Sequence, residues 1–184
     1  MKQADIKFTY RDYLQLPDDK RYELVEGDLL LVPAPNLRHQ RILRELEVAI
    51  CIYLRSHPLG ELFFSPCDVV LSEINVVQPD LIFVSTERMT ILTEANIQGS
   101  PDLVVEILSP STQQRDRGIK QNLYARYGVR EYWIINPENK TVEVLSWTET
   151  GYRIEAVLQE GGTLNSGLFP DLNIKLSEIF AGSE

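Results

Sequence analysis

Asp102-Leu103-Val104-Val105-Glu106-Ile107-Leu108 is the stretch that decides the fold. It is apolar and rich in β-branched residues on both sides of one carboxylate, Glu106. A short run that is apolar on both faces predicts a strand buried in the middle of a sheet. An ionised carboxylate in such a strand is costly unless a cation or hydrogen bonds compensate it. Upstream, Asn75-Val76-Val77-Gln78-Pro79-Asp80-Leu81-Ile82-Phe83-Val84 is a second strand-like run, interrupted by Pro79-Asp80. A divalent metal held by Asp80 and Glu106 would offset both charges. Lys120, in the amphipathic stretch that follows, is placed to add the third charge of a phosphodiester-cleaving site.

Outward from these strands, the chain alternates strand and helix signals. Tyr22 to Val32 reads as two strands joined at Glu26-Gly27-Asp28, with Gly27 free to take a positive φ. From Asn36, a candidate N-cap, Leu43, Leu46, Ile50 and Leu54 recur at helical spacing until His57-Pro58. Short strands are expected at Glu61 to Phe64 and at Cys67 to Leu71, while Glu87 to Ile97 is ambiguous. After Leu108, either Ser109 caps a helix with Pro110 in its first turn, or Ser111 caps it with Gln114. That helix runs to Tyr127 with Ile119, Leu123 and Tyr127 on one face, and Gly128 ends it. Glu131 to Ile135 and Thr141 to Trp147 form a hairpin around Asn136-Pro137-Glu138-Asn139-Lys140. Another short hairpin, a Gly161-Gly162 turn and a final amphipathic stretch with Leu176, Ile179 and Phe180 complete the chain. The order predicts an α/β class fold, an α+β mixed sheet flanked by helices, in a single domain over residues 1–184.

Composition narrows the function classes. With 43% hydrophobic and 24% charged residues the chain is ordinary for a globular protein. No apolar run approaches the roughly 20 residues that span a bilayer. The first residues, Met1 to Lys7, lack an apolar signal core, so a cytoplasmic protein is expected. Cys51 and Cys67 have no metal-ligand spacing and read as a reduced pair. The net charge of −9 argues against broad, non-specific binding of nucleic acid. Locally the balance differs: Arg115, Arg117, Lys120, Arg126 and Arg130 face only Asp116 within residues 115–130. Either a basic helix meets a phosphate backbone there, or the charges form a solvated face.

Mg²⁺ or Mn²⁺ takes hard oxygen ligands, and phosphodiester hydrolysis needs a cation near the scissile phosphate. Asp80 and Glu106 supply two ligands if their strands are neighbours, and the Ile107 carbonyl adds a third by position. Asp102 competes with Asp80, since Pro101-Asp102 repeats the Pro-Asp pair. Asp102 and Glu106, however, lie about 13 Å apart along one strand, too far to share an ion. Asp102 is therefore read as a strand-entry residue. Lys120 follows Asp116 by four residues, so a surface ion pair is its simplest alternative role. Glu23 is a possible outer ligand, His39 either a cap or a base, and Tyr124 a packing residue. Glycine-rich phosphate loops, Ser-His-Asp arrangements and Cys-His zinc patterns are absent from the sequence.

These residues resemble the PD-(D/E)XK nuclease superfamily, and the wider pattern is similar to its Uma-type branch of restriction-endonuclease-like proteins. The resemblance rests on Tyr22-Glu23-Leu24-Val25-Glu26-Gly27, Arg38-His39-Gln40-Arg41, Val77-Gln78-Pro79-Asp80-Leu81 and Pro101 through Ser111. It continues through Arg115-Asp116-Arg117-Gly118-Ile119-Lys120, Tyr124 through Trp133 and Thr141-Val142-Glu143-Val144. Glu106 is followed two residues later by Leu108 where the superfamily pattern has lysine, so Lys120 acts from the helix instead. The resemblance implies a restriction-endonuclease-like core, metal binding at Asp80 and Glu106, and charge stabilisation by Lys120. It further implies a Mg²⁺- or Mn²⁺-dependent DNA endonuclease, for which cutting both strands favours a homodimer. The alternative is a catalytically silent binding or assembly module that kept the fold.

Overall fold

The computed structural model describes residues 7–17 and 19–182. Most of the Met1 to Lys7 segment, and with it the reading of a missing signal core, lies outside the described residues. Among the described residues no helix is long and apolar enough to cross a membrane.

The stretch around Glu106 is a central strand. It forms β8 (Leu103–Ile107), with all five residues buried. β8 pairs antiparallel with β6 (Leu81–Ser85) and parallel with β9 (Glu131–Asn136). The six-stranded mixed sheet is extended on one side by β3 (Gly60–Phe64), beyond β6, and on the other by β10 (Thr141–Thr148) and β11 (Gly151–Gln159). A second sheet has the order β2 (Asp28–Leu31), β1 (Tyr22–Val25), β5 (Asn75–Val77), β4 (Val69–Ser72), β7 (Ile97–Gln98). A two-stranded ribbon, β12 (Thr163–Ser166) with β13 (Phe169–Lys175), is hydrogen-bonded into neither sheet but packs Leu164, Phe169, Leu172 and Ile174 into the core. The β1–β2 connection falls at Glu26 and Gly27, with φ of 52° and 81°. That pair of left-handed residues is what a two-residue hairpin turn requires.

A short first helix, α1 (Tyr10–Tyr13), precedes the sheets. The long helix α2 (Leu37–Ser56) starts where Asn36 accepts a hydrogen bond from the His39 N–H at 2.9 Å. It buries Ile42, Leu43, Leu46, Ile50 and Tyr53. These pack with Leu103, Val105 and Ile107 from one face of β8. The opposite face packs Val104 against Leu123 and Tyr124. Side chains alternate along a strand, so Glu106 shares the face of Val104. The chain closes on α5 (Leu176–Ile179), which buries Leu176 and Ile179.

Two expectations for the helical segment after β8 are corrected. Neither Ser109 nor Ser111 caps it. Ser109 donates its N–H to Thr112 Oγ1 at 3.2 Å, and the helix begins at α3 (Gln113–Arg115) after Thr112. The segment is also not regular: α3 passes through a π-helical turn, Asp116–Lys120, before α4 (Gln121–Arg126). A π turn inserts one extra residue and so rotates the helix face by about 100°. Ile119, expected in the core, is 52% exposed, whereas Lys120 is 4% exposed. The π turn puts the charge inside and the isoleucine outside.

Candidate active site

Asp80 sits just before β6, where Pro79 withholds an N–H and halts the preceding run. In the β6–β8 register Leu81 opposes Val105. One further step along the ladder places Asp80 opposite Glu106. The Ile107 N–H donates to Asp80 Oδ2 at 2.7 Å, which ties the aspartate to β8. His39 Nε2 lies 3.0 Å from the same oxygen. His39 Nδ1 is buried without a hydrogen-bond partner. His39 thus orients Asp80, while its own backbone N–H is taken by Asn36.

Glu106 Oε1 accepts from Lys120 Nζ at 2.8 Å and from the Tyr124 hydroxyl at 2.7 Å. Lys120 Nζ is also 2.7 Å from Glu23 Oε1 and 3.6 Å from Asp116 Oδ1. Glu23 further accepts the Gln78 N–H at 2.9 Å and lies 3.4 Å from the Arg115 guanidinium. Asp80, Glu106, Ile107, Lys120, Glu23 and His39 all line one cavity of about 210 Å³. These six candidates thus share one cavity, whereas Asp102 lies elsewhere, paired with Arg130.

The electrostatics follow from burial. Desolvation pushes Glu106 well above the ordinary glutamate range, more than the Lys120 charge pulls it down. Desolvation also raises Asp116 against the pull of Lys120. For Glu23, burial is more than offset by Lys120, the Gln78 N–H and Arg115, and its pKa falls. Burial alone would lower Lys120, but Glu106, Glu23 and Asp116 hold it above the ordinary lysine value. The ammonium is therefore a permanent charge of the site. Glu23, Glu106 and Asp116 lie within ion-pair distance of Lys120, Glu23 also of Arg115, and Asp80 of His39. Four carboxylates thus share two fixed cations, Lys120 and Arg115, a formal surplus of two negative charges when His39 is counted as neutral.

The donor set fits a hard divalent cation. Asp80 Oδ1 and Glu106 Oε2 lie outside the hydrogen bonds that fix their partner oxygens. Asp116 Oδ1 is buried without a hydrogen bond. No three His, Cys, Asp or Glu side chains form a ready metal cage among the described residues. Mg²⁺ commonly uses only one or two carboxylates and keeps several waters.

Three sequence readings change here. Lys120 and Asp116 are not a surface pair, since their side chains are only 5% and 2% exposed. Tyr124 is not merely packing, because its hydroxyl holds Glu106. Helical spacing signalled this, as Tyr124 lies one turn beyond Lys120 on the same face. The basic run is neutralised by partners from other elements: Arg115 by Glu23, Arg117 by Glu143, Arg126 by Glu26, and Arg130 by Asp102. Asp102 is a strand-entry residue as read, fully buried and accepting the Ser85 N–H at 2.8 Å.

The fold has a solved counterpart. A crystal structure titled as that of "a putative nuclease belonging to DUF820" from Anabaena variabilis matches with a TM-score of 0.80. The two share 20% identity over 96% of this chain and 99% of the other, so the likeness speaks to the fold. Among curated proteins there is no match. Residues 10–177, from α1 into α5, match the Uma2 family, described as "Putative restriction endonuclease", and the chain belongs to that family.

Proposed function

We propose that the protein is a metal-dependent DNA endonuclease acting as one domain, with Asp80, Glu106 and Lys120 as its catalytic residues. The observation that carries this reading is the placement of Asp80 opposite Glu106 with the Lys120 ammonium 2.8 Å from the glutamate. A divalent cation such as Mg²⁺ or Mn²⁺, held by Asp80, Glu106 and the Ile107 carbonyl, would supply Lewis acidity toward the phosphate and a more acidic water. Lys120 stabilises the negative charge that accumulates on the phosphate during attack. Its three carboxylate neighbours keep it protonated for that task. His39 and the Ile107 N–H fix one oxygen of Asp80, while Tyr124 fixes one oxygen of Glu106, so neither carboxylate reorganises during the reaction. Glu23 and Asp116 hold Lys120 in place.

Supercoiled plasmid DNA tests the reading. The wild-type protein nicks or linearises it in Mg²⁺, EDTA stops the reaction, and Glu106→Gln leaves the plasmid supercoiled. Cleavage that is indifferent to EDTA, or a Glu106→Gln variant at wild-type rate, overturns it. One observation favours a second reading, a silent binding or assembly module: the neutralised basic run leaves little unpaired charge to draw in DNA. That module would fold, bind Mg²⁺ and cut nothing.

A further inference from the structure

A second cavity, of about 270 Å³, adjoins the acidic one through two shared residues, Arg21 and Gln78. Arg21 donates its Nε–H to Gln78 Oε1 at 3.0 Å, which leaves its two terminal amino groups for another partner. Among the described residues no carboxylate pairs with Arg21, in contrast to Arg115 and Lys120 in the same acidic cavity. Of the Arg and Lys side chains lining the acidic cavity, Arg21 is the one not paired with a carboxylate among the described residues, and Lys20 adds a second cation to the lining of the adjoining cavity. Guanidinium groups with free paired donors suit phosphate oxygens.

Beyond Arg21 the second cavity changes character. Tyr13, Tyr22 and Leu16 supply aromatic and apolar surface, and Asp68 supplies a polar edge. Asp68 Oδ1 accepts from the Tyr13 hydroxyl at 2.9 Å and from Gln78 Nε2 at 2.7 Å. Those bonds immobilise the carboxylate and leave Oδ2 as an acceptor. A fixed cation, a flat apolar wall and a fixed acceptor are the three elements that recognise the phosphate, the faces and the N–H edge of a nucleotide.

We propose that this second cavity is a nucleotide subsite beside the catalytic centre, with Arg21 binding a backbone phosphate and Asp68 accepting from the base. The assignment of the ligand as part of a nucleic-acid strand rests on the nuclease reading. The subsite itself is tested without turnover, by titrating deoxyguanosine 5′-monophosphate and deoxyribose 5-phosphate in EDTA and following binding by calorimetry. The nucleotide binds tighter than the sugar phosphate by roughly tenfold or more, the factor that one stacked and hydrogen-bonded base supplies. Arg21→Ala weakens both ligands, and Arg21→Lys restores part of the loss. Leu16→Trp, which fills the second cavity and does not line the acidic one, weakens the nucleotide and spares the sugar phosphate. Because both titrations are run in EDTA and read binding without turnover, a failure of the catalytic reading does not register here. Equal affinity for the two ligands, no binding of either, or wild-type nucleotide binding by Leu16→Trp overturns the subsite.

Discussion

Replacing Lys120 by methionine keeps an unbranched side chain as far as Cε and deletes the ammonium, and the structure makes the consequence large. The ammonium is buried, 2.8 Å from Glu106, 2.7 Å from Glu23 and 3.6 Å from Asp116. Without it, three buried carboxylates lose their shared cation. Removing one partner of a buried pair costs about 3–5 kcal/mol, whereas an exposed i,i+4 pair is worth about 0.5 kcal/mol. The variant limits the damage by taking up protons. Burial already raises Glu106 and Asp116, and Glu23 loses the charge that depresses it. A carboxyl whose folded pKa exceeds its unfolded value contributes stability that is complete below the unfolded value and lost as pH rises through the folded one. The deficit of Lys120→Met therefore shrinks as pH falls toward the ordinary carboxylate range and grows as pH rises above it, by up to about 1.4 kcal/mol per pH unit for each proton the folded variant binds beyond the wild type. Urea denaturation in EDTA as a function of pH measures it. A deficit of about 0.5 kcal/mol or less, flat with pH, would refute the buried cluster and restore the surface pair.

Lys120→Ala, assayed where it remains folded, slows DNA cleavage by about two to three orders of magnitude, the usual loss for one electrostatic donor; wild-type cleavage by this variant removes Lys120 from the chemistry. Tyr124→Phe deletes only a hydroxyl, yet it costs about 1–3 kcal/mol in urea unfolding because the bond ends on a buried carboxylate; an unchanged midpoint contradicts that bond. In EDTA, wild-type stability falls relative to Glu106→Gln as pH rises above the unfolded glutamate value, since the raised folded pKa is being crossed. Parallel pH profiles for the two proteins would show that Glu106 is not strained by its burial.

The central strand was readable from the sequence because Val104, Val105, Ile107 and Leu108 carry a one-dimensional signal, apolar on both faces. The hairpin at Glu26-Gly27 and the cap at Asn36 were readable for the same local reason. The opposition of Asp80 and Glu106 was only permitted, since register depends on contacts between segments far apart in the chain. The π turn left no trace in the pattern. Regular helical spacing puts Ile119 inside, whereas the π turn carries Lys120 inward to Glu23 and Glu106 and leaves Ile119 exposed. For the same reason Asp116 read as a surface partner rather than a buried one. Arg115 and Arg117 read as a basic face because their partners, Glu23 and Glu143, come from other elements.

Anomalous diffraction from crystals of the protein soaked in Mn²⁺ tests the central claim most directly. The account predicts one strong peak between the Asp80 and Glu106 carboxylates, at coordination distances of about 2.0–2.3 Å, that disappears in Asp80→Asn. A peak elsewhere, or none beside a Lys120 still locked between Glu23 and Glu106, would contradict it.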